Sequence, residues 1–296
     1  MHNPLKKNDL THADNTLPVT STKNERSTQD NTAALGVGAS NVLGRIATSI
    51  GGLQAVSPSF QPVVDLPYGG VLLALPALLS CGLLSDVDQH FQLPKGYYSL
   101  QSIFLLLALM ALTRVKTIED LRYCAPGEWG KLIGLDRIPE VRTLREKLIA
   151  LSHDGAPAKW SAHLCRQWMQ ADTESCGVFY IDGHVRVYHG AQTKLPRHHV
   201  SREKLCLRAT VYYWINAMGG QPFFCINKAV DPGLIQVLEH EIVPRLEQDA
   251  PALVSEEALK ADPLLHQFTL IFDREGYSPD FMARMRKKTN SLCYVS

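Results

Sequence analysis

Gly177-Val-Phe-Tyr-Ile-Asp-Gly-His-Val-Arg-Val-Tyr-His189 is the stretch whose reading decides the fold. Residues 177–182 are β-rich. After Gly183 the run 184–189 alternates polar and apolar side chains, as a half-buried strand does. Downstream, residues 190–204 read as a polar, basic loop, and Ala209-Thr-Val-Tyr-Tyr-Trp-Ile-Asn216 as a second strand. Gly219-Gly220 marks a hairpin turn, and Pro222 to Asn227 a third strand. Leu234 to Leu246 has a helical pattern, with Pro244 disturbing its end. Phe268-Thr-Leu-Ile-Phe-Asp273 is an unbroken apolar run of the kind found in buried parallel strands. Ser278-Pro279 opens a helix through about Lys288, and Leu292 to Val295 begins a fifth strand. The predicted order is three antiparallel strands, helix, strand, helix, strand. That is an α/β mixed sheet, a meander first and parallel strands last.

Upstream the texture is helical. Residues 66–171 form the predicted helical domain, in which Ile103 to Leu112 is apolar on all faces. Thr117-Ile-Glu-Asp120 has capping-box spacing for a short helix through Tyr123. Pro139 is placed as a first helical residue, with Val141, Leu144, Leu148 and Leu151 on one face. Trp160, Leu164 and Trp168 share a face of a last helix. Residues 36–65 are read as a weakly structured linker and residues 1–35 as a polar, disordered tail.

Composition bounds the partners. With a formal net charge of +1 over 296 residues, the chain has no global attraction for nucleic acid, so a DNA-binding surface must be a local basic patch. Seven cysteines, an odd number with no C-x-x-C pair, read as reduced core thiols of a cytoplasmic protein rather than a disulfide framework. No signal peptide is apparent. Leu66 to Leu84 is uncharged but interrupted by Pro67, Gly69, Gly70 and Pro76. Ile103 to Leu112 falls short of the ~20 residues that cross a bilayer, so no membrane partner is expected.

Asp182 and Asp273 each end an apolar β-run. An acid at the end of a buried strand is costly unless paired or holding a metal. On neighbouring strands two such acids suit Mg²⁺ (or Mn²⁺), which takes a few carboxylates and leaves positions for phosphate oxygens. Spacing alone also fits ordinary Asp-Gly turns.

Three segments carry a resemblance: Tyr180-Ile-Asp-Gly-His-Val-Arg-Val-Tyr-His189, Arg208-Ala-Thr-Val-Tyr-Tyr-Trp-Ile-Asn216 and Leu270-Ile-Phe-Asp-Arg-Glu-Gly-Tyr-Ser-Pro279. They resemble the core of bacterial insertion-sequence transposases of the DDE superfamily, whose fold is RNase H-like. Gly127 to Glu146 resembles the helical region upstream of that core. The resemblance implies an RNase H-like catalytic domain over residues 175–296, preceded by a helical domain that is a candidate for DNA contact. It implies Mg²⁺ held by Asp182 and Asp273, double-stranded DNA at transposon ends as partner, cleavage followed by strand transfer, and a homodimer as a candidate assembly. The family's third acid, usually Glu, lies on a helix after the fifth strand. The sequence ends at Ser296 before such a helix, and neither Glu275 nor Asp280 matches that place. The expectation is therefore a C-terminally truncated, impaired core. The alternatives are a non-catalytic DNA-binding remnant or regulator of transposition, and an unrelated folded protein in which both acids are turn residues.

Arg186, Lys194, Arg197, Arg202, Lys204 and Arg208 make 186–208 basic and are candidates for phosphate contact. Arg274 and Tyr277 are added by their nearness to Asp273. His184, His189, His198 and His199 lack the spacing of helical metal motifs and read as surface or loop histidines. The 139–151 helix reads as an ordinary amphipathic helix, the Arg284–Lys288 run as helix C-terminal cations, and Trp160, Trp168 and Trp214 as core.

Overall fold

A computed structural model describes residues 41–190, 193–200, 203–262 and 264–287, and the backbone of 288–289 and 292–295. The predicted tail over residues 1–35 lies outside the described residues. The chain divides into two compact units, residues 1–151 and 152–296.

The first unit is helical. Its first helix, α1 (Val42–Ser49), falls in the stretch expected to be a weakly structured linker. Asn41 caps it, its side chain accepting from the Gly44 N–H at 2.9 Å. The apolar run 66–84 is broken into a 3₁₀ turn (Gly69–Ala74) and a short helix, α2 (Leu75–Ser80). Next come α3 (Val87–His90) and α4 (Leu100–Leu112). Ser99 caps α4, and Ile103, Phe104, Leu105, Leu106, Leu109 and Met110 are buried around much of its circumference, as expected of a central helix. Among the described residues no helix is long and apolar enough to cross a membrane.

The predicted capping box is present, the Asp120 carboxylate accepting from the Thr117 N–H at 3.0 Å. It opens a 3₁₀ helix, Ile118–Tyr123. After α5 (Pro126–Leu132), Gly130 lies against the chain at Asp136–Arg137: a Cβ there would stand 2.4 Å from the Arg137 Cα. Only glycine permits that approach. Helix α6 (Val141–Leu151) starts two residues later than expected. The Glu140 carbonyl takes its first i→i−4 bond, from the Leu144 N–H at 2.9 Å, which leaves Pro139 outside.

The second unit is a six-stranded mixed sheet with helices. It begins with α7 (Ala156–Ala171). Strand β1 (Val178–Val187) pairs antiparallel with β3 (Leu205–Ala217), and β3 antiparallel with β4 (Pro222–Lys228). On the other side β1 pairs parallel with β5 (Thr269–Phe272), and β5 parallel with β6 (Leu292–Val295). This is the meander followed by parallel strands expected from the sequence. The predicted Gly219-Gly220 turn joins β3 to β4, with Gly220 at φ 84°.

One strand was missed. Within the predicted loop 190–204, β2 (Arg197–Val200) pairs antiparallel with Leu205–Arg208 at the start of β3. Its Arg-His-His-Val sequence is polar because it lies at the sheet's margin, where strands carry charged side chains. Only Val200 is buried.

The helical stretch after β4 runs as α8 (Leu234–Val237), a π-helical turn (Leu238–Ile242) and α9 (Val243–Asp249). Pro244 has no N–H to offer the His240 carbonyl, and the widened turn just upstream accommodates it, so the helix passes Leu246 rather than ending there. A short helix, α10 (Glu256–Ala261), precedes β5, and α11 (Pro279–Thr289) joins β5 to β6.

One face of the sheet is the core face. Phe179 and Ile181 of β1, Val211, Tyr213 and Ile215 of β3, and Leu270 and Phe272 of β5 are buried in one cluster. The cluster also takes in Cys165 and Met169 of α7, Leu246 of α9, and Phe281 and Met285 of α11. The alternate positions of the same strands face the other way and are exposed or half-buried.

Candidate functional site

The β1–β5 register positions the two acids. Parallel pairing aligns Phe179 with Leu270 and Tyr180 with Ile271. Asp182 and Asp273 each lie two residues beyond Tyr180 and Ile271 along neighbouring strands, which run about 4.8 Å apart. Period-2 alternation puts both on the face opposite the core, since Ile181 and Phe272 between them are buried. Both acids are exposed. Asp182 is the cross-strand partner of Trp214. Asp273 caps a 3₁₀ turn (Arg274–Gly276), its side chain accepting from the Glu275 N–H at 3.2 Å. That turn is pressed onto the core. A Cβ on Gly276 would meet the Phe272 ring at 2.4 Å and Leu234 at 3.2 Å, so glycine there lets the chain bend directly after Asp273.

A family model described as "Transposase protein" matches residues 36–296. The chain belongs to this transposase family. No curated protein and no solved structure matches it. Membership makes DNA the transposase's partner, and DNA transposition the process it is built for.

The other predicted site residues of the transposase fall in three places. Arg186 lies on β1, two rows beyond Asp182 on the same exposed face, and Arg197 lies on β2 opposite Arg208 of β3. Lys194 precedes β2, and Lys204 sits in the turn between β2 and β3 at a left-handed φ of 52°. Arg202 lies outside the described residues. Arg274 and Tyr277 flank the turn after Asp273, Tyr277 being 62% exposed. The strands thus align Asp182, Arg186 and Arg197 on one face, whereas Lys194 and Lys204 belong to connecting turns.

His184 is exposed on β1, and His198 and His199 lie on β2, His198 contacting the Ala229 carbonyl at 3.3 Å. Among the described residues no group of three or more His, Cys, Asp or Glu side chains is arranged to hold a metal ion. Arg284 is held by Glu239 of the π-helical turn at 3.0 Å. Trp214 departs from expectation. It was read as core but is 40% exposed, because its position on β3 faces away from the helices.

Tyr213 and Asp231 were not foreseen. Tyr213 is buried on the core face opposite Gly183. Its hydroxyl donates to Asp231 Oδ1 at 2.6 Å, and the same oxygen accepts from the Gly233 N–H at 2.9 Å. Burial first, then the bond to Asp231, and then the negative charge of Asp231, Glu275 and Asp273 push the Tyr213 hydroxyl well above its ordinary value. Asp231-Pro-Gly233 is a recognisable turn signal, but a turn signal does not name a tyrosine partner.

Proposed function

We propose that this transposase carries out metal-dependent phosphodiester cleavage and strand transfer at transposon ends, using Asp182 and Asp273. The observation that carries the reading is their placement at one level, on one face, of neighbouring parallel strands. The strand sequence β4-β3-β1-β5-β6, antiparallel then parallel, supports an RNase H-like, DDE-type core.

The donor set fits Mg²⁺ or Mn²⁺: both groups are hard oxygen donors, exposed and adjacent, and Mg²⁺ commonly uses one or two carboxylates together with substrate phosphates. The bound ion supplies charge neutralisation at the phosphoryl group and activation of the attacking oxygen. The protein's own side chains hold and orient the strand. Arg186 and Arg197 contact phosphates along the exposed face, and Arg274 and Tyr277 contact them beside Asp273. If Arg274→Ala leaves DNA affinity and its salt dependence unchanged, that last role is wrong.

The experiment is a cleavage and joining assay on DNA bearing the transposon end, with Mg²⁺ or Mn²⁺. Strand cleavage lost in D182N and in D273N, with DNA affinity retained, supports the reading. DNA binding with no cleavage under any metal condition replaces it with the regulator reading.

A further inference from the structure

The face that carries Asp182 holds more than acids. Along β1 and β3 its positions recur every second residue, about 6.8 Å apart. Trp214 stands opposite Asp182, and Tyr212 is next on the same side. Arg186, opposite Thr210, follows, and then Arg208, opposite Arg197 of β2. The face therefore runs from carboxylate through two aromatic rings to three guanidinium groups. Trp214 is 40% exposed although β3 is an interior strand flanked by β1 and β4, so its exposure is not that of a frayed edge. Among the described residues none of the three guanidinium groups is in an ion pair.

We infer that this lane binds a single, unpaired DNA strand, whose bases stack on Trp214 and Tyr212 and whose phosphates lie on Arg186, Arg197 and Arg208. The inference rests on the reading above for DNA as the ligand and goes beyond it in strandedness and in the residues that do the work. Stacking needs the face of a base. In a duplex those faces are covered and only base edges are offered in the grooves, so rings standing on a sheet can be used only by a strand whose bases are free. Charge decides against the other occupant of an open sheet face, an apolar helix of a second copy. Such a helix would cover the rings but leave three guanidinium groups without counter-charge. A phosphate backbone compensates them.

The test uses the full chain without divalent metal. Tryptophan fluorescence is followed while a short single-stranded oligonucleotide, or a blunt duplex of the same sequence, is added. The single strand is expected to quench and to bind more tightly than the duplex. W214F should remove most of the quenching while keeping affinity, since the ring that stacks is retained. W214L should weaken single-strand binding by roughly tenfold and leave duplex binding unchanged. R186A should reduce the salt dependence of single-strand binding by about one phosphate contact. Quenching that persists in W214F, equal affinity for duplex and single strand, or an oligomer that W214L converts to monomer without changing strand binding would each overturn the inference. Repeating the titration with the D182N/D273N double variant separates the two readings. Quenching retained in that variant shows that the lane works without the acids; a parent protein that quenches but never cleaves removes only the catalytic reading, and a parent that cleaves with metal but is not quenched removes only the lane.

Discussion

The Tyr213 hydroxyl donates to Asp231 Oδ1 at 2.6 Å, tying the middle of β3 to the turn that launches the helix after β4. Y213F removes one hydrogen bond to a charged acceptor while keeping the buried ring. It should lower stability in urea unfolding by about 1–2 kcal/mol. D231A also loses the Gly233 N–H bond and should cost more. Equal stability of Y213F and the parent would show that the contact contributes nothing net.

Asp249 is the buried ionic anchor of the second unit. Its side chain is 2% exposed and receives Arg166 of α7 at 2.8 Å and Arg245 of α9 at 3.3 Å. Arg245 also lies 3.9 Å over the Phe224 ring, and its Nη2 is buried without a partner. D249A would strand that guanidinium and should cost about 3 kcal/mol, whereas R166A, whose side chain reaches solvent, should cost about 1 kcal/mol. Thermal and urea unfolding of the pair measure the asymmetry.

Asp136 plays the matching part in the first unit. Arg45 of α1 grips it with two bonds, at 2.5 and 2.9 Å, and the Tyr97 hydroxyl donates to it at 2.6 Å. Burial alone would raise this carboxyl, but the hydrogen bonds from Arg45 and Tyr97 and the Arg45 charge hold it below the ordinary carboxylate value. A lowered folded value means that the stabilisation is complete above the unfolded pKa of about 4 and is lost as pH falls through the folded value. The stability difference between parent and D136N should therefore be constant from pH 5 to neutrality and shrink below about pH 4. A difference that grows with acidification would contradict this.

Much of the second unit was legible because its strands state their own period. Phe179, Ile181, Leu270 and Phe272 alternate with Tyr180 and Ile271, and the acids stand where those runs end. Register, in contrast, depends on long-range pairing, so no local pattern could say that Asp182 and Asp273 share a level. Arg197–Val200 was unreadable as a strand because it has little apolar surface to bury, and its pairing is carried by backbone bonds to β3. Trp214 was misassigned to the core because residue type suggests burial while strand parity decides it. Helix α1 was hidden because its ties are long-range: Arg45 pairs with Asp136 and lies 3.9 Å over the Tyr97 ring.

The cysteines split by position rather than forming one core set. Cys165 and Cys176 are buried, with burial pushing their thiols up to about 12 and about 11, while Cys81 and Cys206 are exposed. Cys206, one of the thiols expected in the core, lies instead on the open face of the sheet. In alkylation followed by peptide mass spectrometry, Cys81 and Cys206 should react in the native protein and Cys165 and Cys176 only on unfolding. Prompt native labelling of Cys165 would contradict the packing of α7 on the sheet.

The central claim is that Asp182 and Asp273 form one metal-binding pair. Its most direct test is Mn²⁺ titration of the parent, D182N, D273N and a D231N control, read by calorimetry or electron paramagnetic resonance. The account predicts that either of the first two substitutions weakens Mn²⁺ binding by roughly tenfold or more, with D231N close to the parent. Mn²⁺ binding unchanged in both D182N and D273N would contradict it.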